Sequence, residues 1–235
     1  MALVTSAGST DGASQGTIAT ATITAPANGY IVVVVITQGG NGNGTMTSSG
    51  FSAVTGTSLL TSTTNAFYMS ALYKVAGASE PTSYTFTSNS NNWMASQIFV
   101  LSGRNTSTPF TFGVGTTGGA AGASPASMAL NAGTSAANDD IIWVGGVSNS
   151  AVAPTLTVPS TPSGFGSSLV TSFTTSGFTP SIASCVNQGY GGGTNSTITG
   201  SQAWTGGGNR DWLGFAISVA AAASNPPTAT IAWLT

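Results

Sequence analysis

Only nine side chains in this sequence carry a formal charge at neutral pH or offer a thiol: Lys74, Arg104, Arg210, Asp11, Glu80, Asp139, Asp140, Asp211 and the single Cys185. There is no histidine among the 235 residues, so neither a Ser-His-Asp nor a Cys-His relay can be assembled, and imidazole cannot ligate a metal. Most hydrolytic chemistry ends there. A glycosidase would need two suitably separated carboxyl groups. Asp139 and Asp140 are adjacent on the way into an apolar run, where alternation along a strand sends neighbours to opposite faces. They make a poor acid-base pair. The chain is therefore expected not to be an enzyme, with no catalytic residue, no cofactor and no metal required. Calcium favours oxygen ligands, and Asp139 and Asp140 could supply two, but the usual spaced acidic loop is absent. Solvation of "NDD" at a strand entry is the plainer reading. Cys185 cannot form a bridge within the chain and reads as a small buried apolar residue.

Two glycine-rich stretches could take a ligand without catalysis. "GYGGGTNS" carries Tyr190, and "WTGGGNRDW" carries Trp204, Arg210 and Trp212. Together these four side chains could form an aromatic platform for a glycan, and they are the candidate ligand or interface residues. Glycine triplets mark long hairpin tips equally well, and a role for Trp212 in sealing a core is the simpler one. These loops lack the lysine and following helix that cradle phosphate, so no nucleotide site is expected.

The remaining composition limits the partners. Three cations cannot line a phosphate-tracking groove, so nucleic acid is not expected as a partner. A net charge of -2 allows copies of the molecule to approach closely, which suits a packed homo-oligomer. Hydrophobic residues make up 40% of the chain, too many for a disordered one, so it is expected to fold. The start "MALVTSAGSTDGASQGT" has neither the basic nor the apolar region of a secretory signal, so synthesis in a host cytoplasm without a signal peptide is expected. In "GYIVVVVITQGGNGNG" the apolar run 30–36 is far shorter than the roughly 20 residues of a membrane-spanning helix. Four β-branched valines bounded by "ANG" and "GGNGNG" instead describe a strand buried on both faces. No membrane partner is expected.

Period-two alternation recurs elsewhere. Leu213, Phe215, Ile217 and Val219 share one face of "DWLGFAISVAA"; Tyr84 and Phe86 oppose Ser83, Thr85 and Thr87 in "TSYTFTS". Strands are predicted near 17–24, 30–37, 51–60, 66–76, 82–88 and 93–102, then near 126–131, 140–147, 166–174, 181–186, 196–204, 212–220 and 228–234. No helical period of useful length appears. The expected class is all-β, an antiparallel β-sandwich of jelly-roll type. A weak internal echo divides it. "ITAPANGYIVVVVITQ", "SSGFSAVTGTSLLTS" and "NNWMASQIFVLSG" are answered by "LNAGTSAANDDIIWVGGVS", "TPSGFGSSLVTS" and "NRDWLGFAISVAA". The pseudo-halves span about 1–113 and 121–235, joined by a glycine-rich stretch, "GVGTTGGAAGASP", that reads as flexible. One sandwich over 1–235, each half contributing to both sheets, is preferred to two tandem small sandwiches, because either half alone would have a thin core.

"MSALYKVAGASEPTSYTFTSNSNNWMASQIFVLSG" resembles an all-β module of bacteriophage structural proteins and some bacterial surface proteins, in which a strand ending near "YKVA" leads through "GASEP" to "SYTFT" and a tryptophan-led strand. "ANDDIIWVGGV" and "PSGFGSSLVTS" look like its second-half strand and turn, and Asn28-Gly29 stands where the module commonly has Gly-Asp. The resemblance implies a role on a virion or cell surface: a capsid decoration or head-fibre protein held on the major capsid protein or other virion proteins. A tail-fibre or surface carbohydrate-binding module and an extracellular filament protomer are the alternatives. Within "GASEP", proline disfavours helix at Glu80 and Gly77 permits a turn. Glu80 is expected to form an exposed pair with Lys74 or to cap backbone amides, in either case a structural role.

Overall fold

A computed structural model describes residues 3–10, 16–39, 45–55, 57, 60–61, 67–89, 91, 93–122, 127–147, 155–157, 163–166, 169–171, 180–190, 196–205 and 210–222; for 60–61, 112–135, 155–157, 196–205 and 210–212 it describes the backbone alone. Among these the chain is all-β and antiparallel, with no helix. The first half contains β1 (Leu3–Thr10), β2 (Thr17–Ala19), β3 (Ile31–Gly39), β4 (Met46–Thr47), β5 (Ser52–Ala53), β6 (Leu60–Thr61), β7 (Phe67–Val75), β8 (Thr85–Ser88) and β9 (Trp93–Leu101). The second contains β10 (Phe110–Gly122), β11 (Ser127–Ser135), β12 (Asp140–Val147), β13 (Thr155–Thr157), β14 (Leu169–Thr171), β15 (Ser181–Asn187), β16 (Ser196–Thr205) and β17 (Arg210–Val219).

The pairings turn the faint echo into a repeated topology. The first half forms a six-stranded sheet, β1-β9-β3-β7-β5 with β6 also on β7, and a three-stranded sheet, β2-β8-β4. The second forms a five-stranded sheet, β10-β17-β12-β15-β14, and a three-stranded sheet, β11-β16-β13. Apart from β6, each strand of one half has a counterpart at the same place in the other. The turns that open β3 and β12 repeat bond for bond. Tyr30 N donates to Ala27 O at 3.1 Å and Ala76 N to Tyr30 O at 2.8 Å; Asp139 N donates to Ala136 O at 3.3 Å and Tyr190 N to Asp139 O at 2.7 Å. Both turns need a left-handed residue, Gly29 at φ 78° and Asn138 at φ 68°, the residue types that tolerate it.

Burial explains the valine run. Ile31, Val33 and Val35 point into a core between the two large sheets, beside Phe67, Met69, Phe99, Ile142, Val144, Phe215 and Ile217. Val32, Val34 and Ile36 point the other way, into a second core with Ile18, Leu72, Phe86 and Ile98, covered by the sheet of β2, β8 and β4. With both faces buried, every position from Ile31 to Ile36 is selected for apolar, branched side chains, and alternation disappears. The large sheets approach closely at Gly146 of β12, where a Cβ would stand 2.8 Å from Thr37 Cγ2 and 3.0 Å from Met69 Sδ. Glycine lets β12 approach the strands opposite.

Two expectations are corrected by the pairings. Each half keeps its strands to its own sheets, so the halves share a core rather than contributing to common sheets. The glycine-rich junction is not a linker: through Gly122 it belongs to β10, which pairs with β17 and sets Gly115 opposite the buried Phe215. An aromatic neighbour can cover an edge glycine that has no side chain of its own. The connection between the halves is instead 102–109. A jelly roll divides eight strands between two facing sheets; here β5 and β14 stay with the large sheets, so β-sandwich is the description that the pairings support. The predicted strand 51–60 contributes only the short β5 and the start of β6; β1, β4, β10 and β13 were not anticipated, and 228–234 lies outside the described residues.

Candidate functional site

Three charged residues, Arg104, Asp139 and Asp140, collect where the halves join. Arg104, 5% exposed, lies in the 102–109 connection and is held there by backbone bonds from Asn105 N to Ala220 O at 3.0 Å and from Ala222 N to Gly103 O at 3.2 Å. Its Nη2 stands 3.1 Å from Asp140 Oδ2, and its Nη1 donates to Asn138 O at 2.8 Å. Asp140 Oδ1 also accepts from Gly189 N at 2.7 Å. Burial pushes the Asp140 carboxyl above the usual range, against the opposing pull of the Gly189 N–H and the Arg104 charge.

Asp139 is equally enclosed but serves other partners. Its Oδ2 accepts from Thr111 Oγ1 at 2.7 Å, Ser218 Oγ at 2.8 Å and Ala136 N at 3.0 Å, and its Oδ1 accepts from Ala221 N at 3.1 Å. The two carboxylates are 1% and 0% exposed, so strand-entry solvation does not describe them. Asp139 fastens the starts of β10 and β12 to the end of β17. Its oxygens are occupied by four donors, which leaves them poorly placed to bind calcium or to exchange a proton with a substrate.

Glu80 combines both roles expected of it. Oε2 lies 2.9 Å from Lys74 Nζ and accepts from Tyr84 Oη at 2.9 Å, while Oε1 accepts from Gly77 N at 2.7 Å. The pair is not exposed: the Glu80 side chain is 4% accessible. Burial alone would raise its pKa, but the donors Gly77, Lys74 and Tyr84 outweigh it and hold the carboxyl below its usual range. A folded-state pKa below the unfolded one gives stability that is present above the unfolded value, about 4.3, and lost as pH falls through the folded value. Glu80→Gln is expected to cost about 1 to 3 kcal/mol at neutral pH. Urea melts should show that cost shrinking under acid.

Of the four candidate ligand residues, Tyr190 and Trp212 do not meet. Tyr190 is half-buried, its backbone tied to Asn138 and Asp139 at the end of the large sheet where β12 begins. Trp212 pairs with Val147 where β12 ends, Arg210 opens the same strand opposite Gly122, and Trp204 pairs with Leu156 in the small sheet. The eight residues of β12 separate Tyr190 from Trp212, a span of roughly 26 Å. The side chains of Trp204, Arg210 and Trp212 lie outside the description. Cys185 is buried in β15.

A cavity of about 130 Å³ opens between the halves, lined by Leu3, Ser6, Phe99, Leu169, Ser184 and Gln188 among others. Beside it Gln97, fully buried in β9, donates across the interface to Leu169 O at 3.0 Å and Ile182 O at 3.2 Å. Its only sequence signal is a large polar residue at an inward position of a strand otherwise predicted to be apolar there. Among the described residues no group of three or more acidic, histidine or cysteine side chains could hold a metal ion, and no helix is long and apolar enough to cross a membrane. Comparison with protein-family models, curated proteins and solved structures finds no match to this chain.

Proposed function

We propose that this chain is a non-enzymatic structural protein of a bacteriophage particle, a decoration or head-fibre component that binds the outer capsid surface. One observation carries the reading: the described charges Lys74, Glu80, Arg104, Asp139 and Asp140 are all engaged inside the fold. The described exterior is correspondingly neutral. Thr17, Thr47, Thr85 and Thr87 of the outer small sheet are exposed, while Ile18, Met46 and Phe86 on the same strands are buried. Such a surface can be covered by a neighbour with little charge desolvation, and symmetry can multiply many modest contacts over a shell. The expected partners are the major capsid protein or other virion proteins, together with further copies of the chain. The resemblance of "YKVAGASEPTSYTFT" to phage structural modules points the same way.

Mass spectrometry of gradient-purified particles tests this. The chain should be present at a fixed copy number per particle. Its absence from particles, or efficient turnover of a metabolite by the purified protein, would overturn the reading.

A further inference from the structure

One edge of each large sheet, β1 and β14, lies on a common flank. Among the described residues β1 pairs only with β9, and β14 only with β15. The two edge strands run side by side, with Gly8 of β1 packed against the Thr171 side chain of β14. Gln97, behind β1, donates to Thr171 Oγ1 at 3.3 Å. Among the described residues, two of the three exposed large hydrophobic side chains sit here: Val4, 51% exposed, on β1 and Val170, 37%, on β14.

Natural proteins guard such edges with lysine, proline, bulges or a covering segment, because unpaired backbone donors and acceptors invite another strand. β1 reads "LVTSAGST", without charge or proline, and its only irregularity lies between Leu3 and Thr5. Thr5 to Thr10 then run in unbroken register with β9.

We propose that β1 is the self-association edge of this protein, pairing antiparallel with β1 of a second copy about a two-fold axis. A second copy is the occupant that matches this flank. A strand related to itself by a two-fold axis perpendicular to its sheet is necessarily antiparallel, and it meets an edge of the same length. Neither edge strand carries charge, so no like charges are brought together. Because β14 shares the flank, the same axis brings the second large sheets edge to edge and covers Val4 and Val170. The inference rests on the adhesive reading above and names its surface.

Sedimentation of the full chain, with hydrogen exchange followed at several concentrations, tests it. A dimer is expected at about 100 µM, with slowed exchange at residues 5–10. Val4→Lys combined with Val170→Lys changes side chains that are exposed in the single chain, so the fold should persist while dimerisation weakens about tenfold or more. A monomer throughout that range overturns the proposal. So does a dimer protected elsewhere, or one indifferent to the two lysines. If removing the residues after Ala222 were needed to expose a dimer, the chain's own C-terminal segment would be the occupant, and the proposal would fail. Particles carrying the chain while the purified protein stays monomeric would sink this inference alone. Absence from particles despite a β1 dimer would sink only the reading beneath it.

Discussion

Replacing Arg104 with methionine is expected to destabilise the folded chain by about 3 to 5 kcal/mol at neutral pH. The substitution leaves Asp140, 0% exposed, buried without its counter-charge and removes the donor that Asn138 O accepts from. Burial already raises the Asp140 carboxyl, and without Arg104 it should rise further. An acid whose folded pKa lies above its unfolded value stabilises the fold below the unfolded value, about 3.9, and that contribution is lost as pH rises through the folded value. The deficit of the variant should therefore be smallest near pH 3 and grow toward neutrality, as urea melts at both pH values would show. Adding Asp140→Leu should recover most of the loss, because a buried ion pair is costly mainly when one partner is left behind. A deficit below about 1 kcal/mol at neutral pH, or one that grows on acidification, would contradict the arrangement.

Val33→Asp and Val34→Asp are each expected to prevent folding. The two residues are neighbours of opposite parity, and a strand with one wet face would tolerate one of them. Here Val33 lies in the core between the large sheets and Val34 in the core beneath the small sheet, both 0% exposed. An unpaired charge at either site costs more than the whole stability of a typical domain unless it is neutralised. The milder Val33→Ala and Val34→Ala should each cost about 2 kcal/mol or more, readable by denaturant melts. A soluble, β-rich Val34→Asp protein would show that the small sheet does not cover β3.

The parts of the fold legible in the sequence are those whose signal is local. The valine run announces burial on both faces, and the alternating rows of β8 and β17 announce their faces, because side-chain period follows directly from strand geometry. The repeat was visible only in short echoes, since a topology is preserved by backbone pairings that many sequences satisfy. β10 was hidden because its strand character comes from a partner about a hundred residues later, with Gly115 opposite Phe215. The fate of Asp139 was hidden for the same reason: Ser218 and Ala221 follow it by 79 and 82 residues. The proximity of aromatic residues in a list does not say which end of a sheet each occupies, and Tyr190 and Trp212 take opposite ends of β12.

The claim of adhesion through a neutral exterior is tested most directly by washing purified particles with increasing salt and measuring how much of the chain stays bound. Contacts made without charge are little screened, so retention should be nearly unchanged between about 0.1 M and 1 M salt. Release of most of the chain across that range, or failure of the purified chain to rebind stripped particles, would contradict it.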